Sequence, residues 1–151
     1  ERENAREFPP VLYRPEDVQV SVSGEGRWEN TAVREVNTRF DHDNAPYSNM
    51  VLGEVLARQG RWWSYVPHSH PKPEVYYNKL PRPEGCGACF IGDEAHTVKD
   101  GSVGAFPGGK TPVQVTAPGY PMYCCWMIRH LAGDPWLKTR TVDPRYERVE
   151  A

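Results

Sequence analysis

The sequence lacks a long hydrophobic run and a strong charge of either sign. Among its 151 residues no apolar stretch approaches the roughly 18 residues that a membrane-spanning helix needs. The formal net charge is −2, with acidic and basic residues interspersed, so the composition indicates neither a nucleic-acid-binding surface nor attraction to an anionic membrane. Residues 1–10 are charged and polar and show no signal-peptide core. We therefore expect a cytoplasmic protein that binds neither nucleic acid nor membrane.

Cysteine is also scarce, and its spacing argues against a zinc ribbon. Cys86 and Cys89 form a CxxC pair, whereas Cys124 and Cys125 are adjacent. A zinc ribbon needs a second CxxC pair, and adjacent residues on a strand point to opposite faces of the sheet. Buried free thiols are the expected state, with a metal site or a redox pair as the alternative.

No segment shows sustained helical periodicity, while 15 prolines and 13 glycines indicate many turns. Where a hydrophobic period is readable it is close to 2, as in Val18–Val22. About ten short segments of this kind, separated by Pro- and Gly-rich turns, predict an all-β sandwich or barrel. We assign residues 1–17 to an N-terminal arm, residues 18–132 to the barrel and residues 133–151 to a C-terminal tail.

The stretch with the clearest chemical content contains two histidines and a glutamate. His68 and His70 are two residues apart, so on a strand both rings leave the same face. Pro71 and Pro73 force the chain to turn, and Glu74 opens the next strand. Two imidazoles and a carboxylate from neighbouring strands suit a divalent transition metal. The alternative is a pair of loop histidines beside a solvated glutamate.

These residues resemble the motifs of a known family. The spacing HxH-x3-E, followed by Gly101-x5-Pro107-x-Gly109, resembles the two motifs of the cupins. A longer series resembles the C-terminal half of the 5-deoxy-glucuronate isomerases of inositol catabolism and, more distantly, the 4-deoxy-5-hexosulose-uronate ketol-isomerases of pectin breakdown. That series is Trp63-Ser64-Tyr65-x-Pro67-His68-x-His70, Glu74-x-Tyr76-Tyr77, Asp100-Gly101-x-Val103, Pro112-Val113 and Pro118-Gly119-Tyr120.

The resemblance covers about residues 9 to 133 and implies a single cupin barrel, a double-stranded β-helix of the jelly-roll type. Members of the family carry two tandem cupin domains, and this chain has room for one. It is therefore either an excised C-terminal domain or a stand-alone single-cupin relative. Family analogy also implies a homodimer.

The resemblance implies a metal site with one altered ligand. His68, His70 and Glu74 match three family ligands, and Thr111 stands where the family has a fourth, a histidine. A neutral hydroxyl is a poorer ligand than imidazole, and the ammonium of Lys110 beside it would repel a cation. Zinc is the first candidate metal, followed by manganese, nickel or iron, and an empty site is the alternative.

The reaction that the resemblance implies is an aldose–ketose isomerisation of an open-chain sugar acid. A divalent metal would act as the Lewis acid, and a protein group would move a proton between two carbons. The candidates for proton transfer are Tyr76, Lys110 and His96. Two further histidines, His42 and His130, are expected at the surface.

Substrate binding would need a cation for the carboxylate and a contact for the sugar. The candidates are Arg61, Lys79 and Tyr120, each of which has the alternative of an ordinary solvated or structural side chain. Two other functions stay open. One is a cupin dioxygenase, because two histidines and a carboxylate can also hold iron. The other is a non-catalytic sugar-binding cupin whose metal site has decayed.

Thr111 gives the first testable prediction. Replacing Thr111 with His should complete a four-ligand site and tighten divalent-metal binding, because imidazole is a better donor to zinc or nickel than a hydroxyl. A metal titration of the wild type and the T111H variant measures the change, with K110A as the control. Tighter binding in K110A but not in T111H would show that Lys110, rather than Thr111, faces the site.

Overall fold

Two β-sheets face each other in the computed structural model, which describes residues 7–110 and 112–150. The strands are β1 (Gln19–Ser23), β2 (Arg34–Phe40), β3 (Met50–Ala57), β4 (Trp62–Trp63), β5 (His68–Ser69), β6 (Glu74–Lys79), β7 (Gly87–Ile91), β8 (Glu94–Val98), β9 (Val103–Phe106), β10 (Pro112–Thr116), β11 (Met122–Arg129) and β12 (Thr141–Val142). One α-helix, α1 (Glu147–Glu150), follows the last strand. Within the described ranges no helix has the length and apolar character needed to cross a membrane.

The sheets are antiparallel and differ in size. The larger has the order β1-β2-β3-β11-β6-β9, the smaller the order β4-β10-β7-β8, and β5 pairs with β12 in a separate two-stranded ribbon. Most neighbours in the larger sheet are far apart in sequence, which is why the barrel closes only when distant segments meet. The predicted all-β architecture is confirmed.

Alternation along the strands decides which residues enter the barrel. On β11, Met122, Cys124 and Ile128 face inward and are at most 2% exposed. On β6, Glu74, Tyr76 and Asn78 share the inner face and are buried, whereas the residues between them are more exposed. The barrel interior therefore combines an apolar floor with a polar set of side chains.

A glycine at the centre of the larger sheet makes room for a tryptophan. Gly53 on β3 lies opposite Trp126 on β11, and a Cβ atom at Gly53 would overlap the indole ring. The ring covers the glycine and reaches the barrel interior, where it packs near Trp136 at a centroid distance of 6.4 Å. Sheet packing at this point thus depends on the absence of a side chain at residue 53.

We predict that G53A destabilises the fold by about 1–3 kcal/mol, because the added methyl group overpacks a rigid aromatic contact. Urea unfolding of G53A, W126F and the double variant measures the effect. The smaller ring in W126F should reduce the cost of G53A in the double variant. Equal costs of G53A in both backgrounds would contradict the proposed contact.

Candidate functional site

The residues of the histidine motif line a cavity of about 310 Å³ on the inner face of the larger sheet. His68 lies on β5, His70 follows it, and Glu74 and Tyr76 lie on β6. All four contribute to the cavity wall. The turn between β5 and β6 therefore brings together the side chains that the sequence predicted on one face.

His70 is held by its backbone and by Glu74. Its carbonyl oxygen accepts a 2.8 Å hydrogen bond from the N–H of Gly109. Gly108 permits this approach, because a Cβ there would overlap the carbonyl of Pro71. The Nε2 atom of His70 lies 3.4 Å from a carboxylate oxygen of Glu74, while its Nδ1 atom is buried without a hydrogen-bond partner.

His68 is fixed in one tautomer. Its Nδ1 lies 2.7 Å from the carbonyl oxygen of Val66, and because a carbonyl can only accept, Nδ1 donates and the neutral ring keeps a lone pair on Nε2. Burial lowers the pKa of His68 below its usual value, and the nearby charges of Arg140 and Arg34 lower it further, against the opposing effect of the Val66 bond. The ring is therefore neutral at pH 7.

Tyr76 keeps its proton. Its side chain is 5% exposed, and burial, followed by the charge of Glu74, raises the pKa of its hydroxyl well above the usual value of 10.0. Its hydroxyl also interacts with Ser64, which opposes this rise. Tyr76 can thus act as a hydrogen-bond donor inside the cavity.

Three cationic side chains that sequence reasoning missed also line the cavity: Arg34, Lys138 and Arg140. Lys138 lies 2.8 Å from carboxylate oxygens of both Asp41 and Asp43. Lys138 and Arg140 reach the cavity from the C-terminal tail, which bends at Lys138 with a φ of 64°, so strand alternation could not have selected them. Arg34 could not be selected without the strand pairing.

The other two candidates for proton transfer lie elsewhere. Lys110 is exposed at the turn after β9. His96 is exposed on β8, 3.3 Å from Glu94, and lines a different cavity of about 300 Å³. Thr111, the expected fourth ligand, lies outside the described residues.

The sequence-based substrate contacts also lie away from this cavity. Lys79 projects from the outer face of β6 and pairs with Asp100 at 2.9 Å. Tyr120 packs against the hydrophobic core, and Arg61 precedes β4. None of these three is among the described residues that line the cavity with His68.

The expectation of a surface position for His130 is wrong. The residue is only 8% exposed, because it lies between the loop that carries Asp41 and His42 and the C-terminal tail. Its Nδ1 accepts a 3.0 Å hydrogen bond from the backbone N–H of Trp136. A histidine just after a strand end is buried here because the tail folds back over it.

The donor types at His68, His70 and Glu74 match those that divalent transition metals prefer. The Nδ1 atom of His70, which is buried without a hydrogen-bond partner, is a further nitrogen that could bind a metal ion. Within residues 7–110 and 112–150, however, no three His, Cys, Asp or Glu side chains form a group placed to hold a metal ion.

A larger cavity of about 510 Å³ lies elsewhere, on the outer face of the smaller sheet. Its walls include Trp62, Tyr65, Phe90 and Tyr146, together with Arg145. His68, His70 and Glu74 do not line it. By volume alone this cavity would be chosen as the candidate functional site. The smaller cavity is chosen instead because several polar side chains converge in it.

Comparison with known proteins finds one matching family and relatives named 5-deoxy-glucuronate isomerase. The model of the KduI/IolB family matches residues 1–149. A 5-deoxy-glucuronate isomerase of Geobacillus kaustophilus is 30% identical over 131 residues, which are 77% of this chain and 45% of that protein. One of Shouchella clausii is 24% identical and covers 89% of this chain and 57% of its own length. The chain thus spans about half the length of these curated relatives.

Solved structures support the fold. A deletion mutant of Bacillus subtilis oxalate decarboxylase superposes with a TM-score of 0.63 at 15% identity, over 93% of this chain and 34% of that chain. A cupin-2 domain from Rhodospirillum rubrum gives a TM-score of 0.57 at 13% identity, over 96% and 86%. At these identities the likeness establishes the cupin barrel and not an activity.

The lowered pKa of His68 gives a second prediction about charge in the cavity. In chelator-treated protein, R140Q should raise the pKa of His68 toward its usual value of 6.5, because a repelling charge is removed. An NMR titration of the ring proton measures this shift, with R82Q, which changes an exposed loop arginine, as the control. An unchanged pKa in R140Q would contradict the electrostatic contact.

Proposed function

Because the chain belongs to the KduI/IolB family, we propose that it isomerises an open-chain sugar acid between its aldose and ketose forms. The observation that carries the proposal is one cavity lined by cationic side chains, neutral His68 and protonated Tyr76. Relatives named 5-deoxy-glucuronate isomerase make that compound the first substrate to test.

The carboxylate of the substrate would bind to Arg34 and Arg140. A guanidinium group matches a carboxylate in a two-bond geometry, and both arginines lie near enough to His68 to lower its pKa. The carboxylate would therefore lie at the His68 side of the cavity. The rest of the sugar chain would then extend toward Tyr76.

Tyr76 is the nominated proton-transfer residue that lines this cavity. Isomerisation moves a proton from one carbon to its neighbour through an enediol, in which the carbonyl oxygen becomes a hydroxyl. We propose that the carboxylate of Glu74, which contacts Tyr76 in the cavity wall, takes the proton from one carbon and returns it to the neighbouring carbon. The Tyr76 hydroxyl donates its proton to the carbonyl oxygen as the enediol forms and takes up the proton that the adjacent hydroxyl releases as the new carbonyl forms. The hydroxyl is protonated before the substrate arrives, and because its pKa is raised it gives up the proton only as the carbonyl oxygen gains negative charge on the way to the enediol.

A divalent metal belongs to the proposal through the donor types of His68, His70 and Glu74. When bound, it would polarise the substrate carbonyl. Zinc, manganese, nickel and iron are the ions to test. A sugar-binding cupin without catalysis is the second candidate, favoured by the absence, among the described residues, of a three-residue group placed to hold a metal.

The test incubates the protein with 5-deoxy-glucuronate, with each metal and with chelator, and follows aldose–ketose conversion by NMR. We expect conversion in the wild type. R140Q should raise KM roughly 10- to 100-fold, the loss typical of a hydrogen bond to a charged group, while R82Q should leave it unchanged.

Saturable binding of the sugar acid without conversion under any metal condition would favour the sugar-binding alternative. Oxygen consumption with ferrous iron would instead favour the dioxygenase. Equal KM values for the wild type and R140Q would remove the assigned carboxylate site even if the isomerase activity is present.

A further inference from the structure

A segment of the C-terminal tail crosses the cavity, and we name it the strap (residues 134–142). Trp136, Lys138 and Arg140 line the cavity, and the chain bends between them at Lys138, which has a φ of 64°. The far end of the strap is held by β12, whose Val142 pairs with His68 on β5. Its middle is held by Lys138, which contacts Asp41 and Asp43.

The near end of the strap is held by His130. The backbone N–H of Trp136 donates to Nδ1 of His130 at 3.0 Å. Because an amide N–H can only donate, Nδ1 carries the lone pair and the hydrogen of the neutral ring lies on Nε2. The side chain of Trp136 extends from this backbone contact toward the cavity, where the centroid of its ring lies 5.6 Å from that of the His70 ring.

We propose that His130 is a positioning residue, whose neutral ring fixes the strap at Trp136 and so shapes the cavity around His68 and His70. A proton added to Nδ1 would place two donors face to face and break this contact. The attachment of the strap at Trp136 therefore depends on pH through the protonation state of His130. The effect on catalysis rests on the proposed function, whereas the effect on the strap does not.

The groups around His130 set the direction of this coupling. Its ring lies nearly perpendicular to that of His42 at a centroid distance of 5.6 Å, and Asp41 and Lys72 also face it. Lys72 is paired with Asp134 at the start of the strap, and Lys138 of the strap is paired with Asp41.

Burial, and then the charges of His42 and Lys72, lower the pKa of His130 below 6.5, against the opposing effect of Asp41. The unfolded chain then binds more protons than the folded one as pH falls below 6.5. The stabilisation from the neutral ring is present above that pH and is lost below it.

The test compares H130N with H130F. The Oδ1 of asparagine can take the place of Nδ1 as an acceptor and cannot gain a proton at these pH values, whereas phenylalanine keeps a ring but offers no acceptor. The measurement is the hydrogen-exchange protection of the Trp136 amide, corrected for the intrinsic rate, at pH 7.5 and pH 5.5.

We expect wild-type protection to fall about five- to tenfold at pH 5.5, and H130N to keep the same protection at both values. H130F should show low protection at both. Equal pH dependence of the wild type and H130N would overturn the proposal, and this comparison decides it even if H130F does not fold.

A second measurement tests the link to the cavity, using glucuronate as a hexuronate probe in isothermal titration calorimetry. We expect wild-type binding to weaken about tenfold more than H130N binding between pH 7.5 and pH 5.5. Parallel weakening in the two proteins would show that the strap does not govern the cavity. If glucuronate does not bind at all, the proposed function fails, while the exchange measurement still decides the role of His130.

Discussion

The pairing of β12 with β5 is the interaction on which the candidate site depends. Each strand is only two residues long, and the N–H of Asp143 extends the pairing by a 2.9 Å bond to the carbonyl of Pro67. So short a ribbon is weak by itself. It persists because the strap has other anchors, at Lys138 and at Trp136. The backbone of His68 and the course of the tail are therefore fixed by the same set of contacts.

This arrangement concentrates positive charge locally in a chain whose formal net charge is −2. Arg34 comes from β2 and Arg140 from the strap, and both act on His68. Overall charge only excluded polyanionic partners, whereas the fold creates a cationic cavity suited to a small anion. The proposed preference for an anionic ligand therefore rests on the tertiary structure rather than on the composition.

Much of the fold could be predicted because a hydrophobic period of two residues can be recognised within a single strand, without knowledge of the strands that pair with it. It placed His68 and His70 on one face, and Glu74 and Tyr76 on another that meets it. The same parity also places Lys79 outside, since Asn78 next to it faces inward. The prediction that Lys79 binds the substrate carboxylate did not take this parity into account.

The missed residues depend on long-range contacts that no local period reports. Arg34 reaches the cavity through β2, and Trp136 and Arg140 reach it only because the tail returns over the barrel. His130 is buried for the same reason. A histidine after the last long strand looks exposed until the segment beyond it is placed.

Burial keeps three titratable groups in the cavity or beside it in their neutral state. It keeps His68 and His130 unprotonated, and it keeps the Tyr76 hydroxyl from ionising. The permanent positive charges are carried by arginines, which cannot lose their protons. The proposed function places the carboxylate of the substrate against Arg34 and Arg140 in the cavity wall, so these two guanidinium groups would favour a sugar acid over a neutral sugar.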